Sequence, residues 1–516
     1  MTERVSAADI GFLHRETRTS PQHTGGIIAL DAGSLDYDRL VRLLEERISL
    51  APRYRQKVRI VPGHLASPVW VDDPRFDITY HVRRSALPRP GTEAQLLEFC
   101  ARIQSRLLDR ARPLWEMYLI EGLTGGRVAI LTKTHAAMVG GQGDIDLAQV
   151  ILDASPAPRR TVEAIWMPEP EPSAVELVLD AALGLVRSPR GVLDTARGAA
   201  RDASLLARRA TSVAGGLAAN ASAVLSRPPD LPLHVRLGEQ RRLAVARTRF
   251  ADYRAVRDAY GGTVNDVALA VVAGALRAWL LSRAVGLRPA ATVRVLVPVA
   301  VADLAAAPPP GTPAMLAAAT GDMGAMGGVG GVGGMGGAGS TGAQNSSAAS
   351  HSTVRPLLVD LPVGEPDPVL RLAQLRYAMA SHKATGRAVS ADQLAELAGF
   401  APPTMHALGA RAANELTRRL FSLVITNVPG PQVPLYAAGA RMTEMFPFLP
   451  LTQGQALSVA LTSYDGGVYF GINADYDAVP DADAFAELIE QSLAELVAGA
   501  GGDRLDHARR GRRGDR

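Results

Sequence analysis

A chain of 516 residues with 55 basic against 51 acidic side chains is long enough for two domains, and its net charge of +4 is too small to imply a nucleic-acid partner. The one cysteine, Cys100, excludes an intrachain disulfide and fits a reducing cytoplasm. The opening MTERVSAADIGFL has no apolar signal region, and the long uncharged run after Asp322 is mostly Gly, Ala and Ser, so membrane contact is expected to be peripheral.

Residues 1–155 read as one α/β domain. Gly25 to Leu30 is a strand, Tyr37 to Leu50 a helix with Leu40, Leu43, Leu44 and Ile48 inward, and Gln56 to Val61 a second strand. Trp70 to Tyr80 reads as a turn-rich strand, Glu93 to Leu108 as a helix that buries Leu96, Leu97, Cys100 and Ile103, and Glu116 to Ile120 as a strand. The stretch Arg127 to Asp153 organises the whole: a buried strand led by Val128 to Leu131, a turn with Gly140, Gly141 and Gly143, then Leu147, Val150 and Ile151 at helical spacing. His135 lies between the strand and the glycines.

Residues 156–240 change to proline-punctuated, Ala- and Arg-rich sequence, a crossover linker with helices. Ser173 is a candidate N-cap with Glu176 three residues on. From Ala174 to Arg227 there are seven arginines against four acids, a segment suited to lie on an anionic membrane or to present a solvated face.

Residues 241–500 form the second domain. A strand over Arg241 to Arg249 and a helix over Ala251 to Tyr260 lead, past the candidate N-cap Thr263, into a helix from Asp266 to about Arg283 that is apolar nearly all round and therefore buried. Val293 to Val299 is a buried strand. Residues 304–353, centred on GGVGGVGGMGGAG, cannot bury enough surface to offset their ordering entropy and read as a disordered insertion. The strand VRPLLVDLPV follows, then helices over about 367–383, 390–398 and 404–420, the strand Phe421 to Thr426 and a closing helix over 481–497. Residues 501–516, with six arginines and three aspartates, read as a disordered basic tail.

Several segments in this order resemble the bacterial wax ester synthase/diacylglycerol acyltransferase family: Asp9 to Phe12, Trp70 to Asp73, Phe76 to His81, Pro113-Leu114-Trp115-Glu116, Asn265-Asp266, Val293 to Val299, Asn427-Val428-Pro429-Gly430-Pro431, Ser463-Tyr464-Asp465-Gly466 and Asn473-Ala474-Asp475. The family signature His-His-x-x-x-Asp-Gly falls on His135 and Gly141, with Ala136 in the place of the second His and Gly140 in the place of the Asp. The resemblance implies a two-domain α/β fold with mixed sheets, that of the chloramphenicol acetyltransferase-like CoA-dependent acyltransferases. It also implies transfer of a long acyl chain from acyl-CoA, as co-substrate, to diacylglycerol or a long-chain alcohol, with no metal or prosthetic group. Gly141, Trp115, Asn265, Asp266, Asn427 and Gly430 become candidate binding or support residues. Trp115 reads either as a core aromatic or as part of an acyl channel, and Asp266 either as a helix N-terminal charge or as site support.

The second His of the family takes the hydroxyl proton, and neither Ala136 nor Gly140 has a group for proton transfer. Strand alternation also sets His135 and position 136 on opposite sides. Two readings follow: an acyltransferase working slowly or with a substitute base, and a catalytically inactive relative that binds lipid or acyl-CoA, or pairs with an active paralogue, at the inner membrane face or a lipid-droplet surface. A peptide-synthetase condensation domain shares fold and signature, but the Pro-Leu-Trp-Glu and Asn-Val-Pro-Gly-Pro contexts point away from it.

Overall fold

The computed structural model describes residues 3–31, 35–139, 146–159, 166–187, 231–300, 354–385 and 421–511. The expected insertion at 304–353, the helices expected at 390–398 and 404–420, and all but the first part of the Arg-rich segment lie outside them.

The first half runs β1 (Glu3–Arg4), α1 (Ala7–Arg15), β2 (His23–Leu30), α2 (Tyr37–Arg47), β3 (Gln56–Arg59), β4 (Val69–Asp72), α3 (Ile78–His81), β5 (Val82–Ala86), α4 (Glu93–Ser105), β6 (Trp115–Glu121), β7 (Val128–His135), α5 (Leu147–Ile151), β8 (Leu152–Asp153) and α6 (Ala174–Arg187). The second runs β9 (Arg241–Arg249), α7 (Phe250–Tyr260), α8 (Val264–Ser282), β10 (Val293–Ala300), β11 (Val354–Leu361), α9 (Pro368–Thr385), β12 (Leu423–Val428), β13 (Tyr436–Ala437), β14 (Ala440–Phe448), β15 (Leu457–Tyr464), β16 (Gly467–Asp475) and α10 (Ala482–Gly511).

Local chemistry explains most boundaries. Side-chain oxygens of Ser6, Asp36, Thr92 and Thr263 accept backbone N–H groups at the starts of α1, α2, α4 and α8. Ser173 and Glu176 form the expected reciprocal cap on α6, the Ser173 N–H donating to Glu176 Oε2 at 2.7 Å and the Glu176 N–H to Ser173 Oγ at 3.2 Å. The strand expected over Trp70 to Tyr80 stops at Asp72, because Asp77 accepts the Thr79 N–H at 2.9 Å and starts α3 instead. The tail expected to be disordered from 501 continues α10 as helix to Gly511; Leu505, Ala508, Arg509 and Arg510 are good helix formers, and the Gly501-Gly502 pair does not end the helix.

Two large sheets carry the architecture. The first has seven strands in the order β5-β6-β7-β2-β14-β13-β8, and the second six in the order β11-β10-β12-β15-β16-β9. Within the second half, β13 and β14, residues 436–448, cross over to complete the first sheet. β14 pairs antiparallel with β2, Phe446 opposite Ile27, and β13 with β8, Tyr436 opposite Asp153. The sheets touch closely where Gly471 of β16 faces Pro447 of β14; a Cβ there would lie 1.8 Å from the Pro447 carbonyl oxygen. Arg247 on β9 spans the same junction, its Nη2 2.9 Å from Glu444 Oε2 on β14 and also paired with Glu93 of α4.

In the second half α8 is the core. Val267 to Ala273, Ala275, Leu276, Trp279 and Leu280 are all buried, and the Trp279 indole N–H donates to Asp481 at 3.1 Å. Among the described residues α8 alone is long and apolar enough to cross a membrane, and its burial marks it as a core helix. Cys100 is buried in the α4 packing, where desolvation raises its thiol pKa and makes it inert.

Candidate functional site

The candidate site is built where β2 and β7 end side by side, His23 opposite His135. The backbone on either side is fixed: the His135 N–H donates to Leu114 O at 2.9 Å, and the Ala136 N–H to Gln22 O at 2.8 Å. Pleat alternation stops here, because Ala136 to Met138 form a 3-10 turn, so the alternation argument does not reach position 136. The turn packs into apolar surroundings, with Ala137 and Met138 in the same core as Leu147 and Tyr464. Gly140 and Gly141 lie outside the described residues.

His135 is fully buried, and its Nδ1 accepts the Ala137 N–H at 3.1 Å. That bond uses the lone pair of the neutral ring and leaves the proton on Nε2, which faces Glu16 Oε1 at 3.5 Å. Glu16, just past α1, also lies 3.0 Å from His23 Nε2 through the same oxygen, and its other oxygen accepts from Arg110 Nη2 at 2.8 Å. Burial pushes the Glu16 carboxyl up, but the His23 hydrogen bond, the two imidazoles and the Arg110 guanidinium outweigh it and hold it down at about 2. Burial, opposed in part by Glu16, drives His135 down to about 4, so it is neutral at pH 7.

Lys133, two residues earlier, is buried too. Its Nζ donates to Ile103 O at 2.8 Å and to Arg106 O, closing the C-terminal end of α4, and burial lowers its pKa to about 8. None of Glu16, His23, Arg110 and Lys133 stands out in the sequence; the one hint is a histidine opening the apolar strand HTGGIIAL.

Trp115 is a core side chain: it is fully buried, its indole N–H donates to Tyr54 O at 2.8 Å, and it stacks on His81 at 4.6 Å. Beside the cluster, Ile10, Leu13, Val58, Pro68, Leu114 and Arg110 line a mostly apolar cleft of about 110 Å³. Through Leu114 O and Arg110 this cleft abuts the groups that hold His135 and Glu16.

Of the second-half candidates, Asn265 and Asn427 meet each other, while Asp266 and Gly430 bond to other residues. Asn427 at the end of β12 donates through Nδ2 to Asn265 Oδ1 at 3.2 Å. Asp266 accepts the Thr263 N–H at 2.8 Å while its own N–H donates to Thr263 Oγ1 at 3.2 Å, so its carboxylate caps α8. The Gly430 N–H donates to Ser463 Oγ at 3.3 Å, and a Cβ at 430 would lie 2.2 Å from the Ser463 carbonyl oxygen. Only glycine fits that approach.

With this geometry in place, residues 5–268 match the wax ester synthase/diacylglycerol acyltransferase catalytic domain and residues 353–497 the C-terminal domain of the same family. The chain belongs to the wax ester synthase/diacylglycerol acyltransferase family. It is 31% identical over 503 residues to the probable diacylglycerol O-acyltransferase tgs1 of Mycobacterium tuberculosis, covering 96% of each chain. It is 40% identical over 265 residues to the probable diacylglycerol O-acyltransferase tgs3 of the same organism, half of this chain and 97% of that one. The structure of the wax ester synthase/diacylglycerol acyltransferase of Marinobacter aquaeolei VT8 superposes with a TM-score of 0.62 at 25% identity, covering 96% of this chain and 100% of that one. The first condensation domain of the CDA synthetase, at 15% identity and a TM-score of 0.51 over 97% of this chain and 96% of that one, shares the fold. The acyltransferase fold class implied by the sequence is thus the observed one.

Proposed function

We propose that this member of the family holds a long-chain acyl-CoA and a diacylglycerol or fatty-alcohol acceptor in the acyltransferase scaffold but forms the ester slowly or not at all. The observation that carries the reading is the bond from the Ala137 N–H to His135 Nδ1. A general base needs a free lone pair within about 2.6–3.2 Å of the proton it takes. In His135 that lone pair is occupied and the ring is buried. Glu16, ion-paired and held at about 2, is too weak a base to substitute. Ala136 has no polar atom.

The relatives' names favour diacylglycerol as the acyl acceptor, the family resemblance favours acyl-CoA as the donor, and a water-insoluble acceptor favours work at the cytoplasmic face of a membrane or at a lipid droplet, alone or beside an active paralogue. The test is purified protein with radiolabelled palmitoyl-CoA and either diolein or hexadecanol, with palmitoyl-CoA binding measured in parallel. Binding without turnover supports the reading. Turnover at an ordinary enzymatic rate, abolished by His135→Ala, replaces it with an acyltransferase whose base is His135. For the membrane part, sedimentation with anionic and neutral vesicles should show more protein on the anionic ones at low salt; equal binding, or none, removes the electrostatic contribution.

A further inference from the structure

Glu16 follows the last helical residue of α1, where the helix dipole disfavours a carboxylate. Its side chain is also only 2% exposed. A buried carboxylate persists only when paired. Arg110, about half exposed, pairs with its Oε2 at 2.8 Å on the outer side. Its other oxygen points inward, Oε1 lying 3.0 Å from His23 Nε2 and 3.5 Å from His135 Nε2, with the Gln22 N–H donating to it at 3.4 Å. Gln22 also accepts the Ala136 N–H through its carbonyl. Both restraints on the turn at 136–138, the His135 ring and the Gln22 backbone, thus converge on one carboxylate.

We propose that Glu16 is a positioning residue: it holds His135 in the Nε2–H form, so that Nδ1 receives the Ala137 N–H and fixes the backbone that carries position 136. The functional half of this rests on reading position 136 as the place of the family's base. The charged and titratable groups around the carboxylate are His23, His135, Arg110 and, at longer range, Lys133. Only His135 connects it to the turn through a side chain.

The first test needs no substitution. In the native protein with ¹⁵N-labelled imidazoles at pH 7, His135 should show a bare Nδ1 and a protonated Nε2; an Nδ1–H ring, or rapid exchange between tautomers, overturns the proposal. Glu16→Gln, which removes the charge at nearly constant shape, should then speed hydrogen exchange at the Ala137 amide about tenfold while the amides of Ile28 and Ile130 stay unchanged. Arg110→Gln should leave Ala137 protected. An unchanged Ala137 in Glu16→Gln, or the same loss in Arg110→Gln, overturns the proposal and leaves Glu16 as an anchor for α1. If Glu16→Gln does not fold, the native tautomer and the Arg110→Gln result still decide. In the Ala136→His/Gly140→Asp background, Glu16→Gln should lower kcat about tenfold with KM unchanged. A loss confined to KM, or no loss, counts against positioning. If that background is itself inactive, the reading of position 136 fails, and Glu16 is judged on the Ala137 amide alone.

Discussion

The motif at the end of β7 and the one at the end of β12 hold their polar side chains in opposite ways. At β12 the contacts run outward from one segment to another: Asn427 to Asn265, and Gly430 to Ser463. At β7 the histidine turns back on its own chain, bonding an amide two residues on, and the side chain beside it ends at a methyl group. A motif histidine in this setting acts as a cap for its turn, whatever else it does in relatives. The second-half contacts join segments far apart in the chain, whereas the His135 Nδ1 contact joins residues two apart.

The largest effect that would break this contrast is chemical. Ala136→His together with Gly140→Asp should raise ester formation from palmitoyl-CoA by roughly 10²–10⁴-fold, the usual contribution of a positioned base. Ala136→His alone should recover less, since a misplacement of about 1 Å can cost roughly 10²-fold. No gain in the double variant would mean that the framework around position 136 is not that of an active site.

A second test sharpens the contrast through pH. His135 is held at about 4 against an ordinary 6.5, so the unfolded chain takes this proton first as pH falls. Its contribution to stability is full above about 6.5 and is lost on the way down to about 4, with a magnitude on the order of 3 kcal/mol. Glu16, held at about 2 against 4.5, adds a further loss between those values, again on the acid side. Guanidinium unfolding at pH 7 and pH 4.5 measures the first limb, which should shrink in His135→Gln but not vanish, because burial also lowers the pKa of His23 and His81; a limb unchanged by His135→Gln would show that the ring is not buried as described.

The β12 end should respond to packing rather than to protons. Gly430→Ala forces a methyl to 2.2 Å from the Ser463 carbonyl oxygen and should cost about 1–3 kcal/mol in denaturant unfolding, with little dependence on pH. A neutral outcome would mean that the 428–431 backbone yields easily. The smallest effect is expected far from both motifs. Deleting residues 306–350, which offer almost no large apolar side chain, should move Tm by less than the roughly 4–8 °C that accompanies 1 kcal/mol in a domain of modest size.

Much of the fold was legible because its strongest signals are local. The all-round apolar character of α8, the runs in β7 and β10, and the caps at Ser173 and Thr263 need no distant partner to be recognised. What escaped depends on contacts far apart in the chain. β14 carries Glu444 and Pro447 and reads poorly as a strand, and its partner β2 lies more than 400 residues earlier. Glu16, His23 and His135 come from α1, β2 and β7, three elements whose meeting no spacing rule announces. Asp266 illustrates the middle case: the sequence offered a helix N-terminal charge or site support, and the reciprocal bonds with Thr263 place its carboxylate at the start of α8.

The position of β14 has a consequence for how the protein is made. Until residues 440–448 emerge from the ribosome, β2 has only one neighbour, and its apolar run Ile27 to Leu30 forms the open edge of an unfinished sheet. Roughly 300 residues separate the end of β7 from the end of β14, a delay of about 15–60 s at 5–20 residues per second. The nascent first half must therefore be shielded through most of synthesis, and expressed without residues 436–448 it should gather in the insoluble fraction until a second fragment supplying that strand is produced beside it.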